Sequence, residues 1–283
     1  ETHPASYFAI ASETYTETEV NTLLSVKAPL KNQIINGNFS VNQRAKSGTV
    51  VLTSGQYGHD RFKAGASGCT YTFETVENVT TITITAGSLI QVIEGLNLET
   101  NTYVLSWNGT SQGKIGAGSY GASGITGSVV GGTNINIEFN TGTLSKVRFN
   151  KGTVPIEWQT EAYADVLRQC QRYYVRFSSL TANGNYYRYA YCSNTQTNSV
   201  DCLIKFPVLA RTTPSSVEYS GSFTLFQGST QIAVTSINFG TDGSSEISAN
   251  INPIVSGGLT LGYVSQLMSS NNKTSYIAFS FEL

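Results

Sequence analysis

The chain has 283 residues with 17 basic and 18 acidic side chains, and only 12 % of it is charged, about half the usual globular share of roughly 25 %. A net charge of −1 gives no basic field for a phosphate backbone or an anionic lipid surface, so nucleic acid and membrane are excluded as expected partners. With 27 Gly, 16 Tyr and abundant Thr, Ser and Asn, the composition favours strands and turns and offers hydroxyls, amides and phenols in place of charges.

No apolar run has the length of a membrane span, and the start at Glu1 has neither an initiator Met nor a signal-peptide layout, so the chain reads as the later part of something longer. The first predicted element is a helix across residues 16–28. Thr16 and Glu19 fit a capping box, Val20, Leu23 and Leu24 form a narrow apolar stripe, and Pro29 ends it. A helix this short is marginal alone in water, so its stripe calls for self-association.

From residue 33 to 158 the pattern is strand and turn. Residues 80–85 and 134–139 alternate strictly, and residues 103–107 end at the turn pair Asn108-Gly109. The glycine-rich stretch 113–132 reads as loops and short edge strands. At 160–170 the period switches: Tyr163, Val166, Leu167 and Cys170 share a helical face, with Thr160 as the expected cap. Strands return at 173–177, 186–192, 202–207, 222–226, 232–239, 246–251 and 276–281. The predicted fold is therefore all-β: two β-sandwich domains, residues 32–159 and 160–283, joined by a short helix and preceded by the N-terminal segment 1–31. No short internal repeat marks a β-helix.

The four cysteines lack metal-type spacing and read mainly as reduced, buried thiols. Cys192 and Cys202 are the exception: a hairpin centred on Thr197 would set them opposite each other.

Several motifs resemble a module of bacteriophage tail-fibre proteins. Residues 32–44, containing Asn36-Gly37-Asn38-Phe39 and Gln43-Arg44, are similar to the family's "NG-F-x-x-x-QR" pattern. Tyr57-Gly58-His59-Asp60-Arg61-Phe62 and Gln169-Cys170-Gln171-Arg172-Tyr173-Tyr174 follow in the family's order. Residues 15–24 look like the short three-stranded coiled coils of fibre shafts, residues 206–215 like the "FPVxMRxTP" segment, and the ending Phe281-Glu282-Leu283 like the usual terminus, with a departure at Ser280. The resemblance spans nearly the whole chain through short, structural motifs. It implies a jelly roll similar to carbohydrate-binding modules, a β-sandwich receptor-binding tip, a homotrimer, upstream fibre or baseplate proteins as neighbours, and a place in the virion tail.

For chemistry, the two histidines, His3 and His59, cannot build a zinc site or metal column from one chain, and His59-Asp60-Arg61 reads as structural, with Asp60 pairing with Arg61 or a nearby backbone amide. No serine-nucleophile elbow is present. Two carboxylates could cleave a glycan, but Glu74, Glu77, Glu94, Glu99, Glu138, Asp201, Asp242 and Glu246 are scattered, so the expectation is a non-enzymatic binder without cofactor or metal. Binding a bacterial surface polysaccharide needs aromatic faces and amides. On a strand, Tyr187, Tyr189 and Tyr191 would share one face, and Tyr186, Arg188 and Cys192 the other. The expected contact surface is Asn183, Asn185, Tyr187, Tyr189, Asn194, Gln196, Asn198, Asn271, Asn272 and Lys273, while Trp107 and Trp158 are expected to be structural.

Overall fold

The computed structural model describes Thr16, residues 31–179 and residues 185–283. The predicted N-terminal helix and Asn183 lie outside the described residues.

The fold is predominantly β. Strands β1 (Val50–Leu52), β2 (Phe62–Val76), β3 (Val79–Ile93), β4 (Asn101–Asn108), β5 (Gly113–Ile115), β6 (Ile125–Val129), β7 (Ile135–Phe139) and β8 (Gly142–Lys151) form one eight-stranded sheet. Its main path is β1-β2-β3-β8-β4-β6. β3 splits its pairing, giving Ile82–Ile84 to β8 and Leu89–Ile93 to β7, and so the sheet wraps around its own core. That core is aromatic and aliphatic: Phe39, Phe62, Tyr71, Tyr103, Phe139 and Phe149 are among its buried members. Trp107 lies in it as expected, its indole N–H donating to the Ser111 carbonyl at 3.1 Å. The glycine-rich stretch becomes β5, β6 and the loops between them.

Helix α1 (Tyr163–Gln171) follows. Its cap position is Ala162 and not Thr160, and no side-chain oxygen caps it. Val166 and Cys170 are buried and pack with Val41, Ile35 and Leu167, but Tyr163 turns out to solvent at 58 % exposure.

Beyond the helix come β9 (Tyr174–Ser178), β10 (Arg188–Asn194), β11 (Val200–Lys205), β12 (Glu218–Ser220), β13 (Phe223–Gln227), β14 (Thr230–Ser245), β15 (Ser248–Val255), β16 (Val264–Ser269) and β17 (Tyr276–Ser280). Six of them close in the order β10-β11-β15-β14-β13-β16, while β12-β17-β9 form a separate sheet. A closed barrel thus stands where a β-sandwich was expected. Closure comes from β16, a strand not anticipated, which pairs with both β10 and β13 and leaves neither with a free edge. β11 shows the pattern that fills such a barrel: Val200, Cys202 and Ile204 point in, and Asp201, Leu203 and Lys205 point out.

Cys192 and Cys202 are directly opposite in the β10–β11 register and form a disulfide, while Cys69 and Cys170 are free and buried. Burial pushes the Cys69 thiol up to about 12 and Cys170 well above the ordinary thiol value, so both are poor nucleophiles. The bridge spans a sequence separation of 10. Closing so short a loop removes roughly 3 kcal/mol of unfolded-chain entropy. Denaturant unfolding of a Cys192→Ala/Cys202→Ala variant is expected to show a loss of about that size, with the midpoint moving and the slope little changed.

The motifs that resemble the tail-fibre module converge on the meeting of the eight-stranded sheet with β9 and β17. The Gln43 backbone N–H and side-chain Nε2 both donate to the Asp60 carboxylate at 2.6 Å, and Nε2 also donates to the Tyr174 carbonyl at 2.8 Å. Of the two expected partners for Asp60, the backbone amide is the one found. Arg61 is almost wholly buried, donates to the Val92 carbonyl, lies 3.5 Å over the Tyr173 ring and pairs with Glu282. Arg44 reaches the same carboxylate at 3.5 Å. Tyr57 and Lys63 donate to Leu283 O, and Arg211 donates to the carbonyls of Phe281 and Glu282. The last three residues are therefore a strap that ties the two hydrophobic cores together.

His59 sits beside this network, buried among Phe39, Tyr71 and Phe73, with its Nδ1 2.9 Å from the Tyr71 hydroxyl. Burial holds its pKa at about 4, below the ordinary 6.5. The unfolded chain takes up the proton first, so this contribution to stability is complete above about pH 6.5 and disappears as pH falls toward 4, a change of about 3 kcal/mol. Asp60 and Glu282, pushed up by burial, act in the opposite direction, losing stability as pH rises. A His-specific readout separates them: the His59 ring resonance is expected to stay neutral to about pH 4, and titration near 6.5 would show an open pocket.

Candidate functional site

The residues expected to touch ligand fall at the two ends of β10 rather than in one patch. At its start, the Asn185 side-chain amide donates to Asn271 Oδ1 at 2.6 Å, and the Asn185 carbonyl accepts from the Asn272 amide at 3.1 Å. Tyr187 packs edge-on against Tyr189, 4.9 Å between centroids. Asn185, Asn271 and Lys273 are exposed. Asn272 is half-buried, its Oδ1 taken by the amide and hydroxyl of Thr274.

At the far end, Gln196 and Asn198 are exposed loop residues. Asn194 is not. It is buried, donates to Gln227 Oε1 and the Thr260 carbonyl, and accepts from the Ser265 hydroxyl. Its amide fastens β10 to the loop before β16 and is not free for a ligand. Six steps of strand, roughly 20 Å, separate the two ends.

The expected tyrosine face is also corrected. The β10–β16 register shifts between Arg188 and Ala190, so Tyr189 sits in a bulge. Tyr189 turns its ring toward Phe223 and donates its hydroxyl to the Ser275 carbonyl at 2.8 Å. The inserted residue resets the alternation, so Arg188 and Tyr191 come together outside the barrel, guanidinium to phenol oxygen 3.2 Å, while Ala190 and Cys192 point in. Tyr189 is thus half-buried packing, and the three tyrosines do not present a common face.

The better-formed cavity lies elsewhere. A groove of about 300 Å³ is lined by Asn38, Ser40, Thr75, Asn78, Thr80, Trp158, Thr160, Glu161 and Tyr163, over a floor of Asn36, Gly37 and Val166. Three elements build it. Asn36 adopts φ 60° and spends its side chain on Val41 and the Asp60 carbonyl. Gly37 then passes so close to β8 that a Cβ there would lie 2.3 Å from the Val147 carbonyl oxygen, which only glycine permits. That turn delivers Asn38, whose amide donates to the Asn78 carbonyl at 2.8 Å. Glu77 and Asn78, both at positive φ, make the tight turn joining β2 to β3, and the Thr75 and Thr80 hydroxyls meet across it at 2.9 Å. The third wall is the segment entering α1, with half-buried Trp158 and exposed Tyr163.

The result is two aromatic side chains among amides and hydroxyls, with Glu161 the one carboxylate in the lining. Such a surface can stack on a sugar ring and hydrogen-bond its hydroxyls without desolvating a charge. Sequence reasoning placed Trp158 among structural residues and put Tyr163 on one helical face with Val166, Leu167 and Cys170. Nothing in the local pattern shows that a hairpin some 80 residues upstream folds over them.

Of the carboxylates weighed for catalysis, Glu94, Glu99 and Glu138 are engaged in separate places. Glu94 accepts from the Tyr173 hydroxyl at 2.8 Å and pairs with Arg172, and Glu99 pairs with Lys151. Burial would push Glu138 up, but hydrogen bonds from Ser88, Lys114 and Tyr120 outweigh it and keep it an ionised carboxylate, unsuited to act as a general acid. Among the described residues, no group of three or more His, Cys, Asp and Glu could hold a metal ion.

No family model matches the chain, and no curated protein matches it. Among solved structures, salicylate 1,2-dioxygenase from Pseudoaminobacter salicylatoxidans with gentisate aligns over 98 % of this chain and 89 % of its own, at 9 % identity and a TM-score of 0.13. A glycine-to-alanine variant of the same enzyme, also with gentisate, aligns at 8 % identity and a TM-score of 0.12, covering 98 % of this chain and 90 % of its own. Likeness at that level carries no argument about fold or activity.

Proposed function

We propose that this chain is a passive attachment protein of a phage tail fibre, which holds a bacterial surface glycan as a homotrimer without cleaving it. The observation that carries this reading is the groove between the β2–β3 turn and the entry of α1, where Trp158 and Tyr163 stand among Asn38, Asn78, Thr75 and Thr80. A lining of amides, hydroxyls and aromatic faces with a single carboxylate, Glu161, suits a polyhydroxylated ligand, and the nearly uncharged composition agrees with it. The cluster of exposed Asn185, Asn271 and Lys273 with half-buried Tyr187 at one barrel end is a second contact surface. Three copies would convert weak single sites into useful avidity. The motif resemblance supplies the biological setting: a virion tail, with fibre or baseplate proteins upstream.

The test is a glycan array probed with the purified full chain, followed by incubation with a bound polysaccharide and an assay for new reducing ends. Retention on one class of neutral glycan with no new ends is expected. New reducing ends would replace passive binding with depolymerase activity, and no retention on any envelope glycan would leave a spacer segment.

A further inference from the structure

A second cavity, about 390 Å³, opens where the terminal strap meets the eight-stranded sheet, lined by Arg44, Lys46, Gln56, Tyr57, Tyr174, Arg176, Glu218, Tyr276 and Ser280 among others. Its charge is unlike the rest of the molecule: three cations and one carboxylate in a protein with net charge −1. From its position at the junction of both cores and its lining, we infer that this cavity is an oxyanion subsite, taking the carboxylate or phosphate of an acidic sugar.

The two guanidiniums are held chiefly by stacking: Arg176 has no ion pair among the described residues, and Arg44 has only the 3.5 Å contact with Glu282. Arg44 lies 3.7 Å over the Tyr174 ring and 5.0 Å from that of Tyr57, and Arg176 lies 3.9 Å over Tyr276. Stacking fixes a guanidinium plane while leaving its charge unneutralised. Arg44 Nη1 and Arg176 Nε are buried with no hydrogen-bond partner among the described residues. Glu282, which does not line the cavity, reaches Arg44 at 3.5 Å but pairs more closely with Arg61. Glu218, the carboxylate in the lining, is exposed and accepts from the Tyr174 hydroxyl.

Lys46 is brought in by a turn that Asn42 clamps from both sides, its Oδ1 accepting from the Lys46 amide and its Nδ2 donating to the Lys46 carbonyl. Burial, and then the positive charge of Arg44, hold the Lys46 ammonium below its ordinary value, against the pull of Glu218. An anion entering the cavity meets a positive potential that the fold has already assembled. The space, within the roughly 300–1,000 Å³ of small-ligand pockets, is far larger than a lone ion requires and leaves room for a ring beside Gln56 and Ser280. That the anion is borne on a sugar rests on the glycan-binding reading. The charge argument does not.

The experiment is calorimetric titration of the full chain with galacturonate, glucose 1-phosphate, glucose and inorganic phosphate, repeated on Lys46→Gln and Arg176→Gln variants whose melting is checked first. Binding of at least one sugar acid over glucose is expected, weakened about tenfold (about 1.4 kcal/mol) by Arg176→Gln and less by Lys46→Gln, because each variant removes one positive charge from the lining. Among the described residues the Lys46 ammonium makes no hydrogen bond or ion pair, so Lys46→Gln remains informative if Arg176→Gln unfolds. Absence of sugar-acid binding, binding of inorganic phosphate alone, or affinity unchanged in the folded variants would overturn the assignment. Because the acids are titrated directly, a failure of neutral glycans in the groove would be seen separately.

Discussion

Replacing Glu282 with alanine is expected to destabilise the protein by about 3–5 kcal/mol, because it leaves Arg61 buried without its counter-charge. The Arg61 side chain is 1 % exposed and that of Glu282 is 5 %, so little solvent is at hand to compensate. Arg44 loses an acceptor in the same step. For a chain of this length the melting midpoint should fall by about 10 °C. An Arg61→Met/Glu282→Leu exchange should recover part of the loss, since an apolar pair of similar volume avoids the stranded charge. A drop below about 1 kcal/mol in Glu282→Ala, the range of a surface pair, would mean that the strap is not what joins the two cores.

The largest functional effect is expected at Trp158. Its half-buried indole and the exposed Tyr163 ring are the two stacking surfaces of the groove. Losing a central aromatic anchor typically removes about 2 kcal/mol of binding, close to 30-fold in affinity. Trp158→Ala should therefore reduce glycan affinity by about that factor with the melting midpoint little moved, and Tyr163→Ala by less, because that ring is open to water on more sides. Calorimetry against the glycan retained on the array measures both. If Trp158→Ala binds normally while Tyr187→Ala does not, the contact surface is the barrel end and the groove reading is wrong.

Fold class was legible because alternation is local. Residues 80–85 lie in β3, β7 (Ile135–Phe139) falls within 134–139, and α1 (Tyr163–Gln171) overlaps most of the stretch 160–170, since period two and period 3.6 are written in neighbouring side chains. The Cys192–Cys202 bridge was legible as an alternative for a similar reason, as hairpin symmetry needs only residue counting. The tyrosine face was misread because one bulge at Tyr189 reverses the alternation, and a bulge is imposed by the partner strand β16. Asn194 was misread because an Asn in a predicted loop looks solvated until Gln227, Thr260 and Ser265 close over it.

By itself the sequence determined that the chain would build strands and turns, that its surface would be polar with little charge, and where its one described helix would lie. These follow from side-chain type and spacing, which act over a few residues. Only the tertiary structure decided that six strands close into a barrel, that Glu282 returns to Arg61, and that Arg44, Lys46 and Arg176 face one cavity while Trp158 and Asn78 face another. The Arg61–Glu282 pairing joins residues 221 positions apart. Such pairings are selected by how buried surface and charge are shared across the whole chain, and no short window of sequence contains that information.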